Sequence, residues 1–256
     1  MKIALTFDIE RDNPNFLDTY FGIKVGLLKI IRILDNFNIK GTFFCTGNVV
    51  KRLPEYIRLI ESKEHEIACH GLNHERLNRL NFKECREIIH QNKELIENIC
   101  QNSEIIGFRA PYLKAPRFLF KVLESLGFKY DSSIKSPKIL KNYQVEGCKI
   151  HEFHPSELGT LFRLPLSDSL LRKRIYRKKL VILYFHSWEA VNMKSIVFNQ
   201  THGINFVKNF QFRPDRWVNT GNLFISRIIS FISESISRKA EFVSLKQLLI
   251  EKDNYF

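Results

Sequence analysis

No apolar run in the 256 residues approaches the length of about 18 that a membrane-spanning helix needs. Glycine and proline are too few, 11 and 8, for a low-complexity chain. Nucleotide-gripping glycine loops are missing, with neither a P-loop nor a G-x-G-x-x-G stretch, and no G-x-S-x-G turn presents a nucleophilic serine. Cysteines number five, an odd count with no C-x-x-C pair, which argues for reduced thiols in a cytoplasmic protein rather than a disulfide framework. The N-terminal MKIALTFDIE does not read as a signal peptide, because its short apolar run meets Asp8 and Glu10 almost at once.

Acidic residues are also scarce: 27 against 40 lysines and arginines leave a net charge of +13. Such a bias points to an anionic membrane surface, a phosphate-linked substrate or nucleic acid. Nucleic acid is the weakest of the three, since no zinc finger, RNP signature or other recognition motif is present. The densest cluster is LLRKRIYRKKL, residues 170–180, with six cations among apolar residues. Its simplest reading is a solvated face; contact with a membrane or a phosphate is the functional one, which would place the protein peripherally at the inner face of the membrane.

What is present in quantity is alternation of short apolar runs with longer amphipathic segments. Strands are predicted at 2–7, 41–47, 65–71, 104–110, 129–133, 178–188 and 241–245, and helices at 22–37, 53–63, 82–100, 117–128, 223–238 and 245–251. Repeated strand–helix units imply parallel strands joined by right-handed crossovers, and near-continuous apolar strands imply a sheet buried on both faces. A closed or nearly closed (β/α) barrel is expected, with an open doubly wound sheet as the rival. The chain reads as a single domain over 1–256, in which the less regular stretch 136–176 is an elaborated loop.

In such a barrel reactive groups sit at the C-terminal ends of strands. Those ends carry Asp8 and Glu10, His70, Arg109, Asp131 and His186. One aspartate after a strand is ordinarily a turn residue, but six polar residues at matching positions are a pattern. Two imidazoles, His70 and His74, with a carboxylate from Glu10 or Asp8, suit Zn²⁺ foremost, with Co²⁺, Mn²⁺ and Ni²⁺ as alternatives. The other acid would be a general base, His186 a general acid, and Arg109 would hold one carboxylate ionised. The chemistry assembled is metal-assisted hydrolysis of an acyl bond.

Five segments, in order, resemble the motifs of the polysaccharide deacetylases, the NodB-homology or carbohydrate esterase family 4 group: TFDIE (6–10), HGLNH (70–74), RAPY (109–112), YDSS (130–133) and LYFHSWE (183–189). GTFFCTG (41–47) is similar to the family's second strand, and FRLPLS (162–167) falls where members often have a short strand lining the cleft. The resemblance implies a distorted (β/α)7 barrel and metal-dependent removal of an N-acetyl group from an amino sugar. It implies Asp8 as base, His70 and His74 as ligands, Arg109 as the residue positioning the base, His186 as acid, and Asp131 as the group tuning that acid. Pro111 and Tyr112 would contact substrate, the Tyr112 N–H as an oxyanion donor, and Trp188 would wall the acyl pocket. Two positions depart from the pattern. Ile9 stands where the family's usual metal-binding aspartate would, so the ligand role is expected of Glu10, two residues along the same face as Asp8. Gly71 stands where Ser or Thr is usual. With no export signal, a nucleotide- or lipid-linked amino sugar is the expected substrate. A deformylase or amidase on a related substrate, or a non-catalytic glycan-binding relative, are the alternatives. HEFH (151–154) is expected to be loop.

Overall fold

A computed structural model describes residues 1–14, 16–140, 147–156, 159, 162–164, 168–198 and 212–253. Its frame is a parallel sheet of β1 (Lys2–Ile9), β2 (Thr42–Cys45), β3 (Glu66–Cys69), β4 (Gly107–Phe108), β5 (Tyr130–Asp131), β6 (His151–Glu152) and β7 (Leu180–His186), in the order β6-β5-β4-β3-β2-β1-β7. A short β8 (Glu241–Phe242) pairs with the start of β1. Among the described residues the curl closes through an isolated parallel bridge, Ser156 to Leu183, where the Ser156 N–H donates to the Ile182 carbonyl at 2.8 Å. This is the (β/α)7 barrel expected. The strand at 151–152 corrects the reading of HEFH as loop: it is two residues long, too short for periodicity to register.

The helices are α1 (Leu28–Asn36, preceded by a π-helical turn at Gly22–Leu27), α2 (Gly47–Arg52), α3 (Pro54–Ser62), α4 (Phe82–Glu97), α5 (Leu119–Ser125), α6 (Pro137–Leu140), α7 (Asp168–Ile175), α8 (Met193–Phe198), α9 (Asn222–Ser237) and α10 (Leu245–Asp253). α4 begins where a capping box allows it: Asn81 accepts from the Glu84 N–H at 3.0 Å, and the Asn81 N–H donates back to Glu84 at 2.9 Å.

Strand alternation separates two cores. Ile3, Leu5, Phe7 and Ile9 of β1 pack outward into the large helix-facing cluster. Ala4 points the other way and joins Phe44, Ala68, Tyr130, Phe153 and Ile182 inside the barrel. The same period of two carries Thr6, Asp8 and Glu10 up the inner face toward the mouth. The floor is plugged by α10, whose first N–H groups donate to Thr42 Oγ1 (3.0 Å) and to Glu66 (2.8 Å), itself held by Tyr130.

His65, just before β3, gives the fold a pH dependence of its own. Its Nδ1 accepts from the Gly41 N–H at 3.3 Å, its Nε2 is buried without a hydrogen-bond partner, and burial lowers its pKa to about 4. The unfolded chain takes up this proton near pH 6.5 and the folded one only near 4, so stability falls as pH drops through that window. A loss of roughly 2–3 kcal/mol from this group between pH 7.5 and 4.5 is expected. His65→Gln should flatten that part of a urea-unfolding pH series, and an unchanged slope would refute the assignment.

Candidate active site and metal centre

Register alone brings the chemistry together. Asp8 lies opposite His186 across β1 and β7, and Cys69 opposite Phe108, so the residues that follow them, His70 and Arg109, leave adjacent strands at one height. His74 Nε2 lies 2.5 Å from Glu10 Oε2, and His70 Nε2 lies 3.5 Å from the same oxygen. Three ligand atoms, one each from Glu10, His70 and His74, fall within 4.8 Å of one another.

The donor set fits a divalent metal. His70 Nδ1 is 2.8 Å from the Arg109 carbonyl, which leaves its Nε2 lone pair directed into the cluster. Outside the contacts within this trio, that Nε2 and Glu10 Oε2 are both buried with no hydrogen-bond partner among the described residues. Burial would raise the Glu10 carboxyl, yet His74, His70 and His186 together hold it well below the usual carboxylate range. Ile9 faces the outer core and takes no part.

Asp8 is held apart from this trio. Its Oδ1 accepts from Arg109 Nη1 at 2.8 Å, while Oδ2 stands 3.8 Å from His70 Nε2 and 3.9 Å from His186 Nε2. Arg109 is fully buried, donates also to Thr6 Oγ1 and to the Ser132 carbonyl and hydroxyl, and lies 4.0 Å over the Phe44 ring. A guanidinium fixed on every side fixes the carboxylate it binds.

On the far side, His186 Nε2 faces Asp8 and Glu10, at 3.8 Å from Glu10 Oε1. The acid on its Nδ1 is Glu189 Oε1 at 3.0 Å, not Asp131 as expected. Asp131 instead accepts from the Ser133 hydroxyl at 2.6 Å and faces Glu152 across β5 and β6. Burial and that facing carboxylate push Glu152 well above its ordinary range. Glu189 is in turn paired with buried Arg163, Nε to Oε2 at 3.0 Å. Burial would raise the Glu189 carboxyl; Arg163 and His186 bring it below the usual value. For His186 burial works downward, but the Glu189 hydrogen bond and the Glu10 and Asp8 charges raise its pKa overall.

Three further expectations are placed differently. Trp188 is 1 % exposed and stacks behind His186, ring centroids 5.0 Å apart, rather than lining the cleft. Pro111 is buried against the Gly71 turn, while Tyr112 does line the cleft and packs edge-on against His74. Of FRLPLS, residues 165–167 lie outside the described residues, and the part that is described is turn, from which Arg163 reaches inward.

The Gly71 departure has a backbone reason. Its φ is +75°, and a Cβ there would meet Pro111 Cγ at 3.1 Å and Glu75 Oε2 at 3.2 Å. Glu75 fixes the turn where a hydroxyl would: its carboxylate accepts from the N–H groups of Leu72 (3.1 Å) and Asn73 (2.7 Å). Gly71→Ser is therefore expected to destabilise by about 1 kcal/mol or more, read as a lowered urea midpoint. A midpoint at or above wild type would show that the turn tolerates a side chain.

Sequence reasoning missed Glu189, Arg163, Glu75 and Asn92. Buried Asn92 of α4 accepts from the His70 N–H at 3.0 Å and donates to the Cys45 carbonyl at 3.2 Å, tying the helix to the tops of β2 and β3. Glu189 was the one within reach, three residues after His186 in the same motif. The cations of 170–180 do not approach this site. Arg172 pairs with Glu234 of α9 at 2.8 Å, and Arg177 to Lys179 precede β7 at the opposite end of the barrel, beside Lys2 and Lys239.

A sequence model described as polysaccharide deacetylase matches residues 1–130. The peptidoglycan deacetylase-like protein FGM2 of Gibberella zeae is 31 % identical over 116 residues, 44 % of this chain and 34 % of that protein, so the chain matches about a third of its length. Among solved structures, a Mycobacterium smegmatis protein for which polysaccharide deacetylase activity is inferred superposes with a TM-score of 0.71 at 22 % identity, over 98 % of this chain and 89 % of that one. BA3943 of Bacillus anthracis, described as a family 4 pseudoenzyme, superposes with a TM-score of 0.56 at 16 % identity, over 97 % and 65 %. At these identities the structural likeness speaks for the fold alone. The family match covers half of the sequence and runs through the first three motifs, and on that ground the chain belongs to the polysaccharide deacetylase family.

Proposed function

We propose that the protein is a metal-dependent hydrolase that removes an N-acetyl group from an amino sugar. One observation carries the reading: Glu10, His70 and His74 converge on one point, flanked by the Arg109-held Asp8 and the Glu189-held His186. A divalent ion held by those three residues would polarise the acyl carbonyl and acidify a water. Asp8, oriented by Arg109, is placed to take the proton of the attacking water. His186 Nε2, opposite, is placed to give a proton to the departing nitrogen, so that the C–N bond breaks to leave acetate and a free amine. The Tyr112 N–H is the proposed oxyanion donor.

Each residue is built for its part. Asp8 is held in place by a buried guanidinium, and His186 is turned by Glu189 so that Nε2 faces the cleft. The test is metal content together with acetate release from an N-acetylated chito-oligosaccharide. About one bound divalent ion and metal-dependent release of acetate is expected; a protein that binds metal but releases nothing would be a binding relative. Measuring formyl release from the matching N-formyl sugar separates the deformylase alternative.

The basic 170–180 segment has a different proposed partner, an anionic membrane surface, because it lies at the end of the barrel away from the cleft. Among the described residues no helix is long and apolar enough to cross a membrane. Neutralising Lys173, Arg174, Arg177, Lys178 and Lys179 should abolish sedimentation with phosphatidylserine vesicles; unchanged binding would discard this partner.

A further inference from the structure

The cleft that carries Asp8, the metal trio and His186 is lined also by Asn13, a residue to which the reaction gives no part. Asn13 is 1 % exposed, and neither its Oδ1 nor its Nδ2 has a hydrogen-bond partner among the described residues. A carboxamide removed from water with nothing to bond costs free energy, and such groups are rare in native folds without a role.

The ordinary reason for an asparagine at a turn does not cover it. Asparagine commonly serves a turn by bonding the backbone a residue or two along, and this side chain makes no such bond. The turn is held without it. The Asn13 carbonyl accepts from the Phe16 and Leu17 N–H groups at 2.7 and 3.2 Å, and the Asp12 N–H donates to the Thr19 carbonyl at 2.9 Å. The Asp12 carboxylate accepts from Thr19 Oγ1 and from the Phe21 and Gly22 N–H groups at 2.8, 2.6 and 2.8 Å. Asn13 also stands at φ 45°, which asparagine tolerates better than most residues but which glycine adopts without strain. A rigid segment that holds an unsatisfied donor and an unsatisfied acceptor in the cleft of the reacting groups is the arrangement of a recognition residue.

We propose that Asn13 is a substrate-recognition residue whose carboxamide binds two adjacent ring hydroxyls of the amino sugar. One hydroxyl donates to Oδ1 and its neighbour accepts from Nδ2, so that a vicinal diol satisfies both halves of one amide. On a sugar acylated at the nitrogen of carbon 2, that diol is the pair of hydroxyls on carbons 3 and 4. The inference rests on the deacetylase reading of the same cleft and narrows its substrate. The sugar taken is one with both hydroxyls free, as in a terminal residue or a precursor joined to its carrier through carbon 1, and not an interior unit of a 1,4-linked chain.

The test is equilibrium binding of methyl N-acetylglucosaminide and its 3-deoxy, 4-deoxy and 6-deoxy forms to zinc-loaded protein. Asp8→Asn stops turnover, and the double variant Asp8→Asn, Asn13→Gly removes the amide. With Asn13 present, the 3-deoxy and 4-deoxy sugars are expected to bind about tenfold weaker than the parent, because each leaves half of a buried amide unpaired. The 6-deoxy sugar should stay within about threefold of the parent. Asn13→Gly should bring all four sugars within about threefold of one another, with zinc content unchanged. In the otherwise wild-type protein the same substitution should leave Tm at or above the wild-type value, since it removes an unpaired buried amide and relaxes the backbone. Four sugars that bind alike with Asn13 present, a deoxy loss that Asn13→Gly does not change, or no binding of the parent sugar would overturn the proposal. So would zinc lost along with Asn13, or a lowered Tm with all four sugars weakened equally. Turnover by wild type separates the two readings. Diol-selective binding without acetate release would sink the hydrolase and keep the recognition residue. Acetate released at one kcat/KM from the parent, 3-deoxy and 4-deoxy sugars would do the reverse.

Discussion

Asp8→Asn is expected to lower acetate release by about 10³-fold while a divalent ion stays bound, and Glu10→Ala to empty the site. The asymmetry comes from the distances. Glu10 Oε2 is shared by both histidines at 2.5 and 3.5 Å, whereas the nearest imidazole nitrogen to Asp8 is 3.8 Å away. A positioned general base contributes roughly 10²–10⁴ in rate. Asparagine keeps an oxygen for Arg109 Nη1 but cannot take a proton. Because the partner guanidinium is fully buried, the substitution also removes a compensating charge, and an unfolding midpoint for the variant must accompany the kinetics. Loss of metal in Asp8→Asn alone would exchange the roles of the two acids.

Glu189→Gln is expected to cut kcat by about 10²-fold or more with KM within about threefold, and to move the alkaline limb of the rate to lower pH. Removing the charge from the orienting acid of a catalytic histidine has a precedent in scale, about 10⁴ in kcat for a triad aspartate changed to asparagine. Here a glutamine that offers its N–H₂ to Nδ1 keeps that nitrogen unprotonated and disfavours the imidazolium from which Nε2 gives its proton. The sign with pH follows from the direction of the shift. The His186 pKa is raised above 6.5, so the protonated acid persists beyond that pH and is lost as pH climbs through the raised value. The same group stabilises the fold at low pH and less so at high pH, opposite in sign to His65. A variant whose KM rises while kcat and the pH limb stay in place would mark Glu189 as a packing residue. Arg163→Gln should reproduce the Glu189→Gln phenotype in weaker form.

Most of the site was legible where chemistry depends on short spacing. Asp8 and Glu10 are two apart on one strand, His70 and His74 straddle one turn, and Arg109 and His186 end apolar runs; period and position suffice for each. What depended on contacts between distant segments was not legible. Nothing in sequence joins Arg163 to Glu189, or Asn92 to His70 twenty-two residues earlier. The family resemblance paired Asp131 with His186, but Asp131 is occupied by the Ser133 hydroxyl and faces Glu152 across β5 and β6. Trp188 follows a strand end as a pocket wall would, yet its indole is buried and stacked on His186. β6 escaped because two residues cannot display a period.

Among the described residues the ring closes through Ser156 and Leu183, beside the strand that carries His186. β1 is gripped along its length by β7 and toward its top by β2, so Asp8 and Glu10 belong to the stiffest part of the barrel. Motion between the two halves of the catalytic apparatus is then a breathing of the β6–β7 seam. Amide hydrogen exchange should report it as faster opening at Ser156 than at Phe43 or Ile67. On that view the Arg163–Glu189 pair works as a splint, fixing the His186 ring as strand pairing fixes its backbone.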